Sequence, residues 1–191
     1  TPEGTPVNDM WTEQMNSPMF VFHDSAYYAA FLDDFIGEND QYYLAWFGSG
    51  GSGQTSDLTP GKPLTVFQDR LYFTASSIES GQELWSTGGA LESIRQLRDI
   101  NPGSGNANID NAIEYNGLLY FIAEDAASGP RLWSTDGSEE ETVPVFDPPL
   151  SSQQIQLVGV IQPESAEKPG GLLLVMESEP ATRQLFVYTQ A

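Results

Sequence analysis

Two stretches of this chain repeat one another at a fixed interval, and that interval constrains the fold more than any other feature. Leu71-Tyr72-Phe73-Thr74-Ala75 is followed by Glu83-Leu84-Trp85-Ser86-Thr87-Gly88-Gly89. Leu119-Tyr120-Phe121-Ile122-Ala123 is followed by Arg131-Leu132-Trp133-Ser134-Thr135-Asp136-Gly137. Tyr72 and Trp85 stand 13 residues apart, as do Tyr120 and Trp133, and the two Trp are separated by 48. Near-identical words at equal internal spacing mark a structural repeat. Trp46-Phe47-Gly48-Ser49-Gly50-Gly51 lines up with the Leu84–Gly89 stretch, and Leu185-Phe186-Val187-Tyr188-Thr189 is a worn fourth copy. Four units in 191 residues average about 48 each.

Each unit reads as antiparallel strands. Val66–Ala75 and Ala112–Ala123 are strand–turn–strand, and Asn116-Gly117 is a strong hairpin signal because both residues accept the positive φ of a type I′ turn. No segment carries a sustained 3.6-residue apolar period with caps, so long helices are not expected. Four strands per unit with a period in the forties predict an all-β fold, a β-propeller of about four four-stranded antiparallel blades. The expected blades are approximately residues 1–51, 52–89, 90–137 and 138–191 of a single domain. Stacking blades buries both faces of each sheet, and ring closure protects the edges. The Leu-Trp pairs then pack between blades; the alternative is that the aromatics are sugar-binding platforms. The two chain ends share one phase of the repeat. That fits a closed four-bladed ring, half of a larger ring made by two chains, or a segment of a longer chain.

The same repeat disposes of a cofactor reading. Gly48, Gly50 and Gly53 match G-x-G-x-x-G, with Asp69 downstream. That fingerprint needs a helix to follow, so that its N-terminus holds a pyrophosphate. Pro60 and Pro63 remove backbone donors where such a helix would run.

The words "ELWSTGG", "RLWSTDGSEEET", "RDINPGS" and "NGLLYFIA" resemble the ELWxxDGT repeat of bacterial secreted and surface proteins. The resemblance is close in the second and third units and weak in the first and fourth; "TPEGT" at residues 1–5 is similar to the piece that follows D-G. It implies a propeller in an exported, cell-surface or periplasmic protein, and it carries no set of catalytic residues.

Charge narrows the partners. Lys and Arg total 7 against 27 Asp and Glu, a net charge of −20, and residues 1–61 contain no Lys or Arg. Such a surface repels nucleic acid and anionic membranes and is compatible with cations or basic partners. There is no Cys, so disulfides and thiolate metal sites are excluded. The longest apolar run, Gly171–Met176, suits a buried strand and is far short of a membrane span.

Enzyme chemistry finds little support. The single His, His23, has Asp24 beside it, but neighbours on a strand point to opposite faces. There is no G-x-S-x-G elbow and no His pair for zinc. Calcium is the more plausible ion, with Asp136 in "STDGSEEET" the candidate ligand; the plainer reading is a turn beside the solvated acids Glu139–Glu141. The first unit departs most from the repeat. Tyr28 to Phe47 spans 19 residues, six more than the 13 elsewhere. The added stretch mixes Asp33, Asp34, Phe35, Glu38, Asp40 and Tyr42, a composition that suits contact with a protein partner or another subunit. A drifted hairpin is the alternative. The favoured function is a non-enzymatic exported module for protein–protein interaction or scaffolding. The alternative is a glycan-binding or carbohydrate-active propeller working through carboxylates.

Overall fold

The computed structural model describes residues 20–22, 25–32, 41–48, 51–54, 58–77, 79–148, 152–163, 165, 170–178 and 182–189. Among them are fifteen strands and one short 3-10 turn, Leu91–Ser93, and no α-helix. The chain forms two compact units, residues 1–60 and 61–191. Among the described residues no helix is long and apolar enough to cross a membrane.

In the first unit, β1 (Phe20–Phe22), β2 (Ser25–Leu32), β3 (Gln41–Gly48) and β4 (Gly51–Gln54) form one antiparallel sheet in chain order. The glycine run closes its last hairpin. Gly48 pairs with Gly51, and Trp46 pairs with Gly53. The next element is a strand, so the nucleotide-loop geometry is absent here.

Three more sheets follow, and all but the first three residues of β5 lie in the second unit. β5 (Leu58–Phe67), β6 (Arg70–Ser77), β7 (Gly81–Thr87) and β8 (Arg95–Arg98) make one; β9 (Ala112–Tyr115), β10 (Leu118–Asp125), β11 (Gly129–Thr135) and β12 (Val143–Phe146) the next. β13 (Ser152–Ile161), β14 (Gly171–Ser178) and β15 (Thr182–Tyr188) make the last, with three strands among the described residues. Every sheet is an up-and-down meander. The sheets of β5–β8 and β9–β12 each take in the strand after the Trp strand, past the boundaries expected at residues 89 and 137. Ser86 pairs with Arg95 across β7 and β8, as Ser134 pairs with Val143 across β11 and β12.

Tight turns hold these meanders in register. Asn116 (φ 51°) and Gly117 (φ 78°) take the positive φ values that the Asn-Gly pair predicts. The equivalent turn of the preceding sheet uses Gln68 (φ 48°) and Asp69 (φ 58°), where neither residue is glycine.

The two faces of the Trp strand β11 are assigned to different neighbours. Trp133 joins a buried cluster with Phe67, Tyr72, Leu84 and Leu97 of the preceding sheet. Leu132, one residue earlier and on the opposite face, joins Ile155, Leu157, Leu172 and Leu174 of the following sheet. Phe121 and Tyr120 divide in the same way. A strand covered on both faces must be apolar almost throughout, which is why Leu119-Tyr120-Phe121 of β10 is buried without a break. Trp85 is only half-buried, and its indole nitrogen is buried without a hydrogen-bond partner.

Two polar arrangements lock the loop that precedes β9. Glu83, completely buried, accepts hydrogen bonds from the backbone N–H of Ile100 (3.0 Å) and Asn101 (2.9 Å). Burial pushes its carboxyl up to about 7, against the pull of those two N–H groups. Ala107 then bridges two sheets, donating to Gln82 O and accepting from the Glu124 N–H, both at 2.8 Å. In the next repeat Arg131 replaces the Glu; it pairs with Asp125 and Asp147 and lies 5.3 Å from the centre of the Trp133 ring.

Candidate functional site

The anchored loop delivers its far end, Asn108–Asn111, to the rim of a cleft of about 690 Å³. The other wall is β13, where Gln154 and Gln156 are exposed while Ile155 and Leu157 point inward, the period-two alternation of a strand with one buried face. Asn108 sits at a φ of 50°, a region Asn tolerates better than most residues, and its amide donates to Glu124 Oε2 at 2.6 Å. The Asn111 amide donates to Leu157 O at 3.1 Å and so ties the loop to the last sheet. Asp110 forms an exposed ion pair with Lys62. Exposed Val158, together with Pro130 and Ile122, adds apolar surface.

Chemically this is a site of amides and carboxylates beside small apolar patches. It can exchange hydrogen bonds with a neutral polar ligand. Among the described residues, its lining has no Ser, Thr, Cys, His or Lys to act as a nucleophile, and the carboxylates Asp110 and Glu124 are each already engaged. In the sequence, the start of this loop stands out only as "RDINPGS", one of the words that resemble the ELWxxDGT repeat. The signal that could have revealed the cleft was the Asn-rich end "NANIDN", which departs from the repeat.

The residues singled out from the sequence fall elsewhere. Asp33, Asp34, Phe35, Glu38 and Asp40 lie outside the described residues, as does His23. Tyr42 belongs to β3 and pairs with Phe31 of β2. The extra length of the first unit falls at residues 33–40, which join β2 to β3; residues 78–80, 126–128 and 179–181 join the equivalent hairpins. Asp136 is exposed at the turn after β11. Its Oδ1 accepts from the Ser138 hydroxyl (2.7 Å) and backbone N–H (2.8 Å), which hold the carboxyl below its ordinary range. Among the described residues no three His, Cys, Asp or Glu side chains gather where a metal ion could be held.

No protein-family model matches the chain, and no curated protein matches it. Among solved structures it is similar to the acylaminoacyl peptidase of Pyrococcus horikoshii, with a TM-score of 0.54 and 14% sequence identity. The likeness covers 91% of this chain and 26% of the peptidase, so the chain spans about a quarter of that protein's length. At that identity the likeness is one of fold.

Proposed function

We propose that this chain is a β-propeller module of an exported or cell-surface protein and that it works by binding, as a scaffold for protein partners, without catalysis. The observation that carries the reading is the repeated interface. Residues at one phase of the repeat are spent on stacking the sheet of β9–β12 against both of its neighbours, Trp133 backward and Leu132 forward. Radial stacking of four-stranded meanders is how propellers protect both faces of each sheet. The resemblance to ELWxxDGT repeats and the fold likeness to part of a much longer chain support the same reading. Recognition is then left to the loops and clefts at the sheet ends. Calcium at Asp136 and a partner contact through the first-unit insertion belong to this proposal.

One observation favours a second reading. The amide-lined cleft, with Asp110 and Glu124 on its walls, has the donors and acceptors that a glycan would use. A glycan array and a glycoside-hydrolysis screen on the purified protein, run with cross-linking to partners on intact producing cells, separate the two. The scaffold reading expects cross-linked protein partners with no saccharide binding or turnover. Binding or turnover lost in Gln156→Ala or Glu124→Gln would replace it with the glycan reading.

A further inference from the structure

A second, smaller cavity of about 480 Å³ lies between the sheet of β5–β8 and the turn that follows β11. Arg70, Arg95 and Tyr72 line it. Tyr72 is completely buried, yet its hydroxyl has no hydrogen-bond partner. Leaving a buried hydroxyl unpaired is costly, so such a group in a folded protein calls for an explanation. Burial also pushes this phenol up, which keeps it a protonated donor at neutral pH.

The two guanidiniums are equally unusual. They are two of the seven cationic side chains in a chain of net charge −20, and they stand close enough for Arg95 to add to burial in lowering Arg70. Neither makes an ion pair with a described carboxylate. Arg70 instead donates to Ser86 Oγ (3.2 Å) and Ser93 O (2.7 Å), and Arg95 donates to Gly137 O (2.8 Å). These bonds fix the forks and leave N–H groups over. Gln68, held at a positive φ of 48°, lines the same cavity.

The repeat supplies the control. Forty-eight residues on, the positions of Arg70, Tyr72 and Arg95 are held by Leu118, Tyr120 and Val143. There the tyrosine packs into an aromatic group, with Tyr115 at 6.4 Å and Tyr188 at 6.1 Å between ring centres. Blade packing at this position is therefore satisfied by apolar residues, and the arginine pair needs another reason.

We propose that Arg70, Arg95 and the Tyr72 hydroxyl form a binding site for a ligand carboxylate. A planar carboxylate matches the guanidinium fork and accepts the phenolic proton. Asp136, Glu139 and Glu140 line the same cavity and repel anions. They penalise a dianion more than a monoanion, which favours a carboxylate over a phosphate. The carboxylate comes from a small organic acid or from the terminus of a protein chain. This cavity shares no lining residue with the amide-lined cleft.

The test is an NMR titration at 150 mM salt that follows the Arg Nε–H signals. The probes are N-acetylalanine, a seven-residue Ala/Gly peptide with a free C-terminus, the same peptide amidated, and inorganic phosphate. The free-acid peptide is expected to bind saturably, and its amide and phosphate at least about 10-fold more weakly. N-acetylalanine binding as well as the peptide acid assigns a small acid; much weaker binding assigns a chain terminus. Tyr72→Phe keeps the ring and its packing, and Arg95→Gln changes an exposed side chain. Each is expected to weaken the acid about 10-fold, and Tyr72→Phe to melt no lower than wild type. Equal binding of acid and amide, phosphate binding as tight as the acid, or wild-type affinity in either variant overturns the proposal. Should Tyr72→Phe fail to fold, Arg95→Gln decides alone.

Discussion

Glu83 makes the folded protein sensitive to pH in a window where few other groups titrate. Its carboxyl is completely buried, and its pKa is about 7 in the folded chain against an ordinary value of 4.5. A carboxyl whose pKa is raised by folding binds more protons folded than unfolded between those two values. Stability is therefore greatest below the unfolded pKa and falls as pH rises toward the folded one. The full difference is roughly 3 kcal/mol, of which roughly 2–3 kcal/mol falls between pH 5 and pH 8. Ordinary carboxylates, with pKa values near ~4, are largely ionised by pH 5 and add little slope. The chain has a single His, His23, and the experiment replaces it with Asn in both proteins so that only Glu83 differs.

The measurement is urea unfolding at half-unit intervals from pH 5 to pH 8, for His23→Asn alone and for His23→Asn with Glu83→Gln. The first protein should lose stability steadily up to pH 7 and then level off. The second should be flat. Glutamine offers one carbonyl to the N–H groups of Ile100 and Asn101 and turns an amide N–H toward the other, so its stability should be low at pH 5 as well. A slope that survives Glu83→Gln, or a first protein that is flat or rises, would show that Glu83 keeps an ordinary pKa beside its two donors.

The remaining predictions concern packing, ions and the insertion. Trp133→Ala should cost roughly 3–5 kcal/mol in chemical unfolding, because the ring is 4% exposed and fills the interface with the preceding sheet; a melting temperature within a degree or two of wild type refutes the interface. Gly117→Val should cost about 1–2 kcal/mol through backbone strain alone, since φ is 78° and an added Cβ meets nothing within 4 Å; an unchanged unfolding midpoint would contradict the type I′ turn. Stability should rise with salt at a net charge of −20. A calcium site at Asp136 predicts an extra melting shift at low-millimolar calcium that magnesium does not reproduce and Asp136→Asn removes; equal shifts leave only screening. Replacing residues 33–40 with a short Gly-Ser turn should preserve the melting temperature while weakening assembly, measured by sedimentation; unchanged assembly would reduce the insertion to a longer hairpin.

The features legible in the sequence are those that recur. The equal spacing of Tyr72–Trp85 and Tyr120–Trp133 predicts the hairpins β6–β7 and β10–β11, in which Phe73 faces Trp85 and Phe121 faces Trp133. Asn116-Gly117 predicts its own turn, because the φ values it needs are a property of two adjacent residues. Period-two alternation already requires that Leu132 and Trp133 face opposite ways. Which neighbour each meets is a tertiary matter, decided by the order in which the sheets stack. The same is true of β8 and β12, whose place beside their Trp strands is set by antiparallel pairing such as Ser86 with Arg95. The chemistry of the clefts lies further still from the linear sequence. Glu83 meets Ile100 and Asn101 across seventeen and eighteen residues, and Arg95 reaches Gly137 across forty-two. A repeat draws attention to what its copies share, and sheet stacking uses those shared residues. The arginine pair and the Asn-rich loop end are departures from the repeat, and only folding brings such departures together.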